Sequence, residues 1–299
     1  MNSEHVDTTV GLCGLGNMGG AIAGRLAALT RVIGYDPDNR RLDEAVDRHG
    51  IAGATELAEV AAADVVVLSL PSPETSVEVC HTLAPLMGTG ALILETSTVN
   101  PTDMWRLRDL CAPRSVRVVD AAILSGVAQM EAGSATLLLG GDEADLARAA
   151  PILEVLGRRR IRFGDVGSGM AAKVINNAVA HAVMVMLAEA GAMAVASGVS
   201  GEQLAELLAD PEAGLSRPLT HRFVERVLPG AYEGGMPTEA ARKDSTLALA
   251  LAQQQGVPLF AIQGAHTVYE IALAQGLGRD DYASVARLWE QWTGRTFTR

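Results

Sequence analysis

The stretch Val10-Gly11-Leu12-Cys13-Gly14-Leu15-Gly16-Asn17-Met18-Gly19 decides the fold. An apolar run ending at Cys13 passes through three glycines spaced G-x-G-x-x-G into a segment with helical character. In such a turn the first glycine permits a tight bend, the second lets a pyrophosphate approach the backbone, and the third lets helix and strand pack closely. Gly14, Gly16 and Gly19 take those three places, with Leu15, Asn17 and Met18 between them. The helix that follows turns its unpaired N–H groups and the positive end of its dipole toward a phosphate. Three glycines at this spacing mean little alone. With a strand before them, a helix after them and a position near the N-terminus, they predict dinucleotide binding.

Outward from the turn, a second β-branched run ends at Gly34-Tyr35-Asp36, 22 residues after Gly14. A carboxylate at that distance accepts hydrogen bonds from a ribose 2′-hydroxyl and repels a 2′-phosphate, which favours NAD. Arg40 and Arg41 follow closely enough that NADP is not excluded, and Asp36 could instead only cap the next helix.

Further candidate strands are Val65 to Leu70, Ala91 to Glu95, Val116 to Asp120, Thr136 to Gly140 and Ile161 to Gly164. Helical segments such as Gly19 to Leu29, Arg40 to Arg48 and Thr75 to Leu83 separate them. Apolar strands without alternation, divided by helices, predict a parallel sheet covered on both faces. Arg158-Arg159-Arg160 is expected to be a solvated turn before the last strand. Beyond Met170 strand signals stop, and helices are expected over Met170 to Ala196, Glu202 to Ala209, Thr220 to Leu228, Thr238 to Gln255, Phe260 to Gln275 and Tyr282 to Trp292. The expected organisation is an α/β Rossmann domain over 1–165 and an all-α domain over 166–299, joined by a long interdomain helix.

Composition narrows the class. A net charge of −11 over 299 residues argues against nucleic acid or an anionic membrane as partner, while leaving room for a small anionic substrate held by a local cation. The three cysteines show no metal or disulfide spacing, and no metal site is expected. Polar residues 1–9 lack a signal-peptide core, so the cytoplasm is the default. The apolar run from Met170 to Ala196 contains Lys173, Asn176, Asn177, His181 and Glu189, a pattern that suits a buried helix better than a membrane span.

Lys173 stands alone as a cation at the start of that run. Burying an unpaired ammonium is costly, so the lysine either reaches solvent or has a task, and spacing alone does not choose. Asn177 projects one turn later from nearly the same face. An amide beside an amine of lowered pKa suits a substrate oxygen that gains or loses a proton. His181 reads as a structural histidine, and Cys13 as a small buried strand residue.

These residues resemble the β-hydroxyacid dehydrogenase family, which includes 3-hydroxyisobutyrate dehydrogenases and tartronate semialdehyde reductases. Gly14 to Gly19 resembles its G-x-G-x-M-G turn. Leu70-Pro71 resembles its LP loop, which puts Thr75 at a cofactor-contacting position, and Ser97-Thr98-Val99-Asn100-Pro101 resembles S-T-x-x-P, which puts Thr98 near the nicotinamide. Gly167-Ser168-Gly169 through Lys173 to Asn177 resembles G-x-G-x-x-x-K-x-x-x-N, which carries the family's catalytic lysine. Lys243-Asp244 with Leu247-Ala248 resembles K-D-x-x-L-A, whose lysine closes over the cofactor and whose aspartate implies a substrate contact. The resemblance implies NAD-dependent hydride transfer on a small β-hydroxy acid, with Lys173 and Asn177 catalytic, and a homodimer or homotetramer.

One loop departs from the pattern. Where the family reads D-A-P-V-S-G-G, this chain reads Asp120-Ala121-Ala122-Ile123-Leu124-Ser125-Gly126. Leu124 replaces a serine and Ser125 a glycine in the substrate-binding segment Leu124-Ser125-Gly126, so a bulkier or less polar substrate is expected. Two rival readings are an NADPH-dependent imine reductase, against which Lys173 counts, and a non-catalytic NAD(P)-binding interaction protein.

Overall fold

The computed structural model describes residues 8–298. Contacts divide the chain into two compact units that meet between Ala178 and Val179. In the first unit, strands β1 (Val10–Cys13), β2 (Val32–Tyr35), β3 (Ala52–Gly53), β4 (Val65–Leu68), β5 (Leu92–Glu95), β6 (Arg117–Ile123), β7 (Ala135–Gly140) and β8 (Gly157–Gly164) form one sheet in the order 3-2-1-4-5-6-7-8. The strand order reverses between β1 and β4, which is where doubly wound sheets bind ligands. β1, β4 and β5 are buried along their whole length, which is why their sequences run apolar without alternation.

Helices α1 (Asn17–Ala27), α2 (Asn39–His49), α3 (Pro73–Leu83), α4 (Pro101–Cys111), α5 (Val127–Glu131) and α6 (Glu143–Leu156) accompany the sheet. Two apolar clusters cover its faces, one containing Leu12, Ile22, Leu26, Leu94 and Leu137, the other Leu68, Leu83, Ile93, Met104 and Leu107.

The sheet differs from the expected one in three respects. It is mixed, because β6 and β7 run antiparallel, joined through the single short helix α5. A two-residue strand, β3, extends the edge beside β2. The three arginines expected in a turn lie inside β8, which pairs only with β7. An outer strand exposes its side chains and tolerates charge, which also discourages pairing with foreign strands.

Helix α7 (Ser168–Ala196) runs out of the first unit into the second. Its expected burial is not observed: Ile175, Val179, Met184 and Val195 are each at least 59% exposed. It is also the one described helix long and apolar enough to cross a membrane by length and composition.

The second unit is helical, with α8 (Gly201–Ala209), a π-helix (Pro218–Val227), α9 (Thr238–Gln255), α10 (Ala261–Ala274) and α11 (Ala286–Thr293). Buried Glu189 closes one end of this unit: its carboxylate accepts N–H groups of Phe260, Ala261 and Ile262 at the start of α10, at 2.6, 2.8 and 3.0 Å. The last expected helix is split, a 3-10 turn over Tyr282–Val285 preceding α11. Trp289 and Trp292 form an edge-to-face pair on its exposed side, with centroids 5.3 Å apart.

Candidate active site

Each glycine of the β1–α1 turn has its own steric reason. Gly14 holds φ +92°, and a Cβ there would come within 2.1 Å of the Ser69 carbonyl oxygen. A Cβ on Gly19 would lie 1.9 Å from the Gly14 carbonyl oxygen, so turn and helix touch backbone to backbone. Gly16 is different: a Cβ there would meet only the Arg41 guanidinium, at 4.0 Å. Its bareness clears space on the outer side of the turn rather than room for protein packing. No side chain caps α1 and no acid occupies its first turn, whereas Asp38 and Ser72 cap α2 and α3. The first-turn N–H groups thus have neither a side-chain cap nor an acid of their own turn to satisfy them, and the donor set fits a pyrophosphate.

Asp36, 4% exposed, directly follows β2 beside this turn. Its Oδ2 accepts the Leu15 N–H at 2.8 Å and its Oδ1 the Asp38 N–H at 2.9 Å, while Arg41 approaches to 3.8 Å. The helix cap considered for Asp36 belongs to Asp38, which accepts the Arg40 N–H. Gly16, Asn17, Arg41, Arg48 and His49 line a pocket of about 410 Å³ next to the turn.

The remaining first-unit candidates follow the C-terminal ends of neighbouring strands. Leu70-Pro71 follows β4, Ser97-Thr98 follows β5, and Leu124-Ser125-Gly126 follows β6. The first two loops are tied together, since the Leu70 N–H donates to Ser97 Oγ at 2.8 Å. Ser97 is in turn held by Glu95, whose Oε1 accepts its N–H at 2.8 Å. Thr75 lies in the first turn of α3, where its N–H donates to Ser72 Oγ and the two hydroxyls lie 3.1 Å apart. Thr98 is exposed at the tip of its loop.

Ser125 does not replace the missing serine. Its hydroxyl donates to the Leu124 carbonyl and accepts the Thr136 N–H at 3.0 Å, so both its roles are taken by its own loop. Leu124 packs against the core cluster that contains Ile93 and Leu138.

The start of α7 is fixed to the same edge of the sheet. Asp120, in register with Glu95 on the neighbouring strand, is fully buried and accepts the N–H groups of Gly167 at 2.8 Å and Met170 at 2.9 Å. Lys173 lies one turn further along α7 and Asn177 one turn beyond that, both half-buried. Burial lowers the pKa of the Lys173 amine below the ordinary lysine value, with no other contribution. His181, expected to be a structural histidine, is exposed. Cys13 is buried, and burial together with nearby Glu95 pushes its thiol up to about 12, which leaves it inert as a nucleophile.

The first unit therefore gathers the glycine turn, Asp36, Leu70-Pro71, Thr75, Thr98, Leu124 to Gly126, Lys173 and Asn177. Lys243 and Asp244 lie on α9 in the second unit, exposed and paired with each other at 3.0 Å. Reasoning from sequence had given no role to Glu95 or Asp120. Glu95 is the acid that ends an otherwise apolar strand, which is a readable signal, whereas Asp120 lies in the middle of β6. One compositional signal was also overlooked: of 24 basic residues only two are lysines, and they are Lys173 and Lys243. Arginine stays protonated in proteins whereas lysine can shed its proton, so the two are not exchangeable at a proton-transfer site.

Comparisons with known proteins agree with this geometry. Residues 9–164 match the NAD binding domain of 6-phosphogluconate dehydrogenase, and residues 167–289 match the domain described as NAD-binding of NADP-dependent 3-hydroxyisobutyrate dehydrogenase. The 2-(hydroxymethyl)glutarate dehydrogenase of Eubacterium barkeri is 29% identical over 95% of this chain and 96% of its own length. The solved 3-hydroxyisobutyrate dehydrogenase of Mycobacterium tuberculosis with L-serine has 28% identity and a TM-score of 0.67, covering 95% of this chain and 99% of that one. A Streptomyces aurantiacus imine reductase superimposes over 94% of this chain and 99% of its own, with a TM-score of 0.85, at an identity of 19% that speaks for the fold alone. With a dinucleotide turn, a half-buried lysine at the start of α7 and family matches across both units, the chain belongs to the β-hydroxyacid dehydrogenase family of NAD-dependent oxidoreductases.

Proposed function

We propose that this protein oxidises a small β-hydroxy acid, or reduces the corresponding carbonyl compound, with Lys173 as general acid/base. The observation that carries the reading is the half-buried Lys173, anchored at the C-terminal edge of the sheet with a lowered pKa. When bound, the nicotinamide supplies the hydride acceptor or donor. In oxidation the neutral Lys173 amine takes the hydroxyl proton as the carbon–hydrogen bond is lost and the carbonyl forms, and in reduction the ammonium returns that proton. Asn177, one turn beyond Lys173 on α7, orients the same oxygen through its amide. Asp36 favours NAD over NADP, because its buried carboxylate repels a 2′-phosphate.

The substrate carries an apolar substituent larger than that of glycerate. Leu124 stands where the family pattern has a serine, and the Ser125 hydroxyl is already engaged. Removing a hydroxyl donor and adding an isobutyl group favours apolar over polar substituents. A spectrophotometric panel of β-hydroxy acids with NAD and with NADP tests this. The expected result is NADH formation with branched or aromatic hydroxy acids at higher kcat/KM than with glycerate. Preference for glycerate or tartronate semialdehyde would overturn the substrate assignment. Turnover of a cyclic imine with NADPH, and of no hydroxy acid, would overturn the reaction class.

The protein works as a homodimer or higher homo-oligomer in which a second copy covers α7. Asn176, Asn177, His181 and Glu189 interrupt that helix too often for a lipid environment, yet its apolar side chains are largely exposed in one chain. Sedimentation equilibrium at micromolar concentration should give at least twice the monomer mass, and a monodisperse monomer would refute the proposal.

A further inference from the structure

We propose that Asp120 is the positioning residue for Lys173: its buried carboxylate binds the N-terminus of α7 and sets where the lysine stands. The inference rests on the reading of Lys173 as the acid/base. Asp120 ends the central part of β6 and is fully buried, with its two oxygens divided between Gly167 N–H and Met170 N–H. These are donors that the first turn of a helix cannot satisfy internally. Burial raises the Asp120 carboxyl above the usual carboxylate range, and N–H groups including those of Gly167, Met170 and Gly169 pull it back. The carboxylate thus serves as a cap delivered from a strand nearly fifty positions earlier in the chain.

The surrounding glycines are shaped to this group. A Cβ on Gly140, the β7 residue paired with Asp120, would lie 2.4 Å from Asp120 Oδ2. A Cβ on Gly169 would lie 2.8 Å from the same oxygen and 2.6 Å from the Leu138 carbonyl. Gly167 holds φ +96°, the conformation that turns its N–H into the carboxylate. In the G-x-G before the lysine, Gly169 therefore makes room for the carboxylate, while Gly167 supplies the turn and lies against Trp105, whose Nε1 a Cβ there would approach to 2.9 Å. Trp105 pins the preceding loop, its Nε1 donating to the Val166 carbonyl at 3.0 Å. Lys173 lies three residues past Met170, so a change in the pitch or axial position of the first turn is carried directly to the amine. Asp120 lies on the strand that leads into Leu124 to Gly126, so the same β6 backbone carries that segment and the carboxylate that holds α7.

The test compares wild type, Asp120→Asn, Lys173→Ala and the double variant by steady-state kinetics and NADH fluorescence titration. Asparagine preserves shape but sets an NH2 against an N–H donor. In Asp120→Asn we expect kcat to fall on the order of 100-fold, with KM and NADH affinity little changed, because sub-ångström displacement of a reacting group costs rate rather than binding. On the Lys173→Ala background the same substitution should cost little further, since the group it positions is gone. Equal losses in both backgrounds, or a loss confined to KM, would overturn the assignment. If Lys173→Ala itself keeps full activity, the acid/base reading fails, which is a separate outcome visible in the single variant. Should Asp120→Asn fail to fold, Gly140→Ala displaces the carboxylate without removing it, and the same kcat loss and non-additivity are expected there. Unchanged kcat in a folded Gly140→Ala would refute the proposal.

Discussion

Lys173→Ala and Lys173→Arg should both lose turnover by roughly 10²- to 10⁴-fold while retaining cofactor binding, the range associated with removing a general acid/base. The arginine variant is the sharper of the two. It keeps the positive charge and most of the length, so a lysine that served only to attract an acidic substrate would leave measurable activity behind. A guanidinium does not release its proton in this pH range, so it cannot accept one from a hydroxyl group. The direction of the pH dependence follows from the lowered pKa. Oxidation needs the neutral amine, so its kcat should rise with pH through a midpoint below that of an ordinary lysine; reduction needs the ammonium and should fall through the same region. Retention of more than a tenth of wild-type kcat in Lys173→Arg would exclude the amine as the proton-transfer group. The lysine count sharpens the expectation: a chain that otherwise uses arginine throughout has kept lysine at two positions, Lys173 and Lys243.

Much of the fold was legible because its central strands are buried on both faces. Val65–Leu68 and Leu92–Glu95 admit almost nothing but apolar side chains, and such runs between helices declare a doubly wound sheet. What escaped was set by position rather than by residue type. Ala52–Gly53 is two residues long and has no β-branched side chain to mark it. Arg158 to Arg160 is strand because it lies at the rim, where charge is tolerated, and no local pattern announces a rim. The antiparallel step from β6 to β7 depends on how the short α5 turns the chain back, which composition does not encode. At the site, glycine spacing and the lone lysine were readable from local chemistry. The tasks of Asp120 and Glu95 were not, since each is defined by backbone donors brought to it from elsewhere: Gly167 and Met170 for one, the loop at Ser97 for the other. Ser125 shows the converse, a hydroxyl next to the lost serine position whose donor and acceptor roles neighbouring backbone groups already take.

Glu95→Gln should make the protein more stable at pH 8 by up to about 3 kcal/mol and leave it nearly unchanged at pH 5. Glu95 is fully buried, and burial pushes its carboxyl from 4.5 to about 7, against the opposing pull of Ser76, Ser97 and the Thr96 and Ser97 N–H groups. The titratable groups facing it are the buried thiols of Cys13, raised by burial and by Glu95 itself, and of Cys80, raised by its contact with Cys111 and by burial. No positive charge among them supports the ionised form. Between pH 4.5 and 7 the folded chain keeps a proton that the unfolded chain has released, so stability declines as pH rises across that window, and the full cost of ionising the buried group is present above it. Glutamine removes that cost while preserving the contact: its carbonyl oxygen can accept the Ser97 N–H. Its NH2 occupies the place of Oε2, which like the buried Ser76 hydroxyl lacks a well-formed hydrogen bond. Urea denaturation of wild type and variant at pH 5, 6, 7 and 8 isolates the effect as the difference between the two curves. Curves that run parallel from pH 5 to 8 would show that Glu95 does not titrate in this window. The physical return for that cost is the geometry of Ser97, which Glu95 holds through its N–H and whose hydroxyl in turn holds the Leu70 N–H.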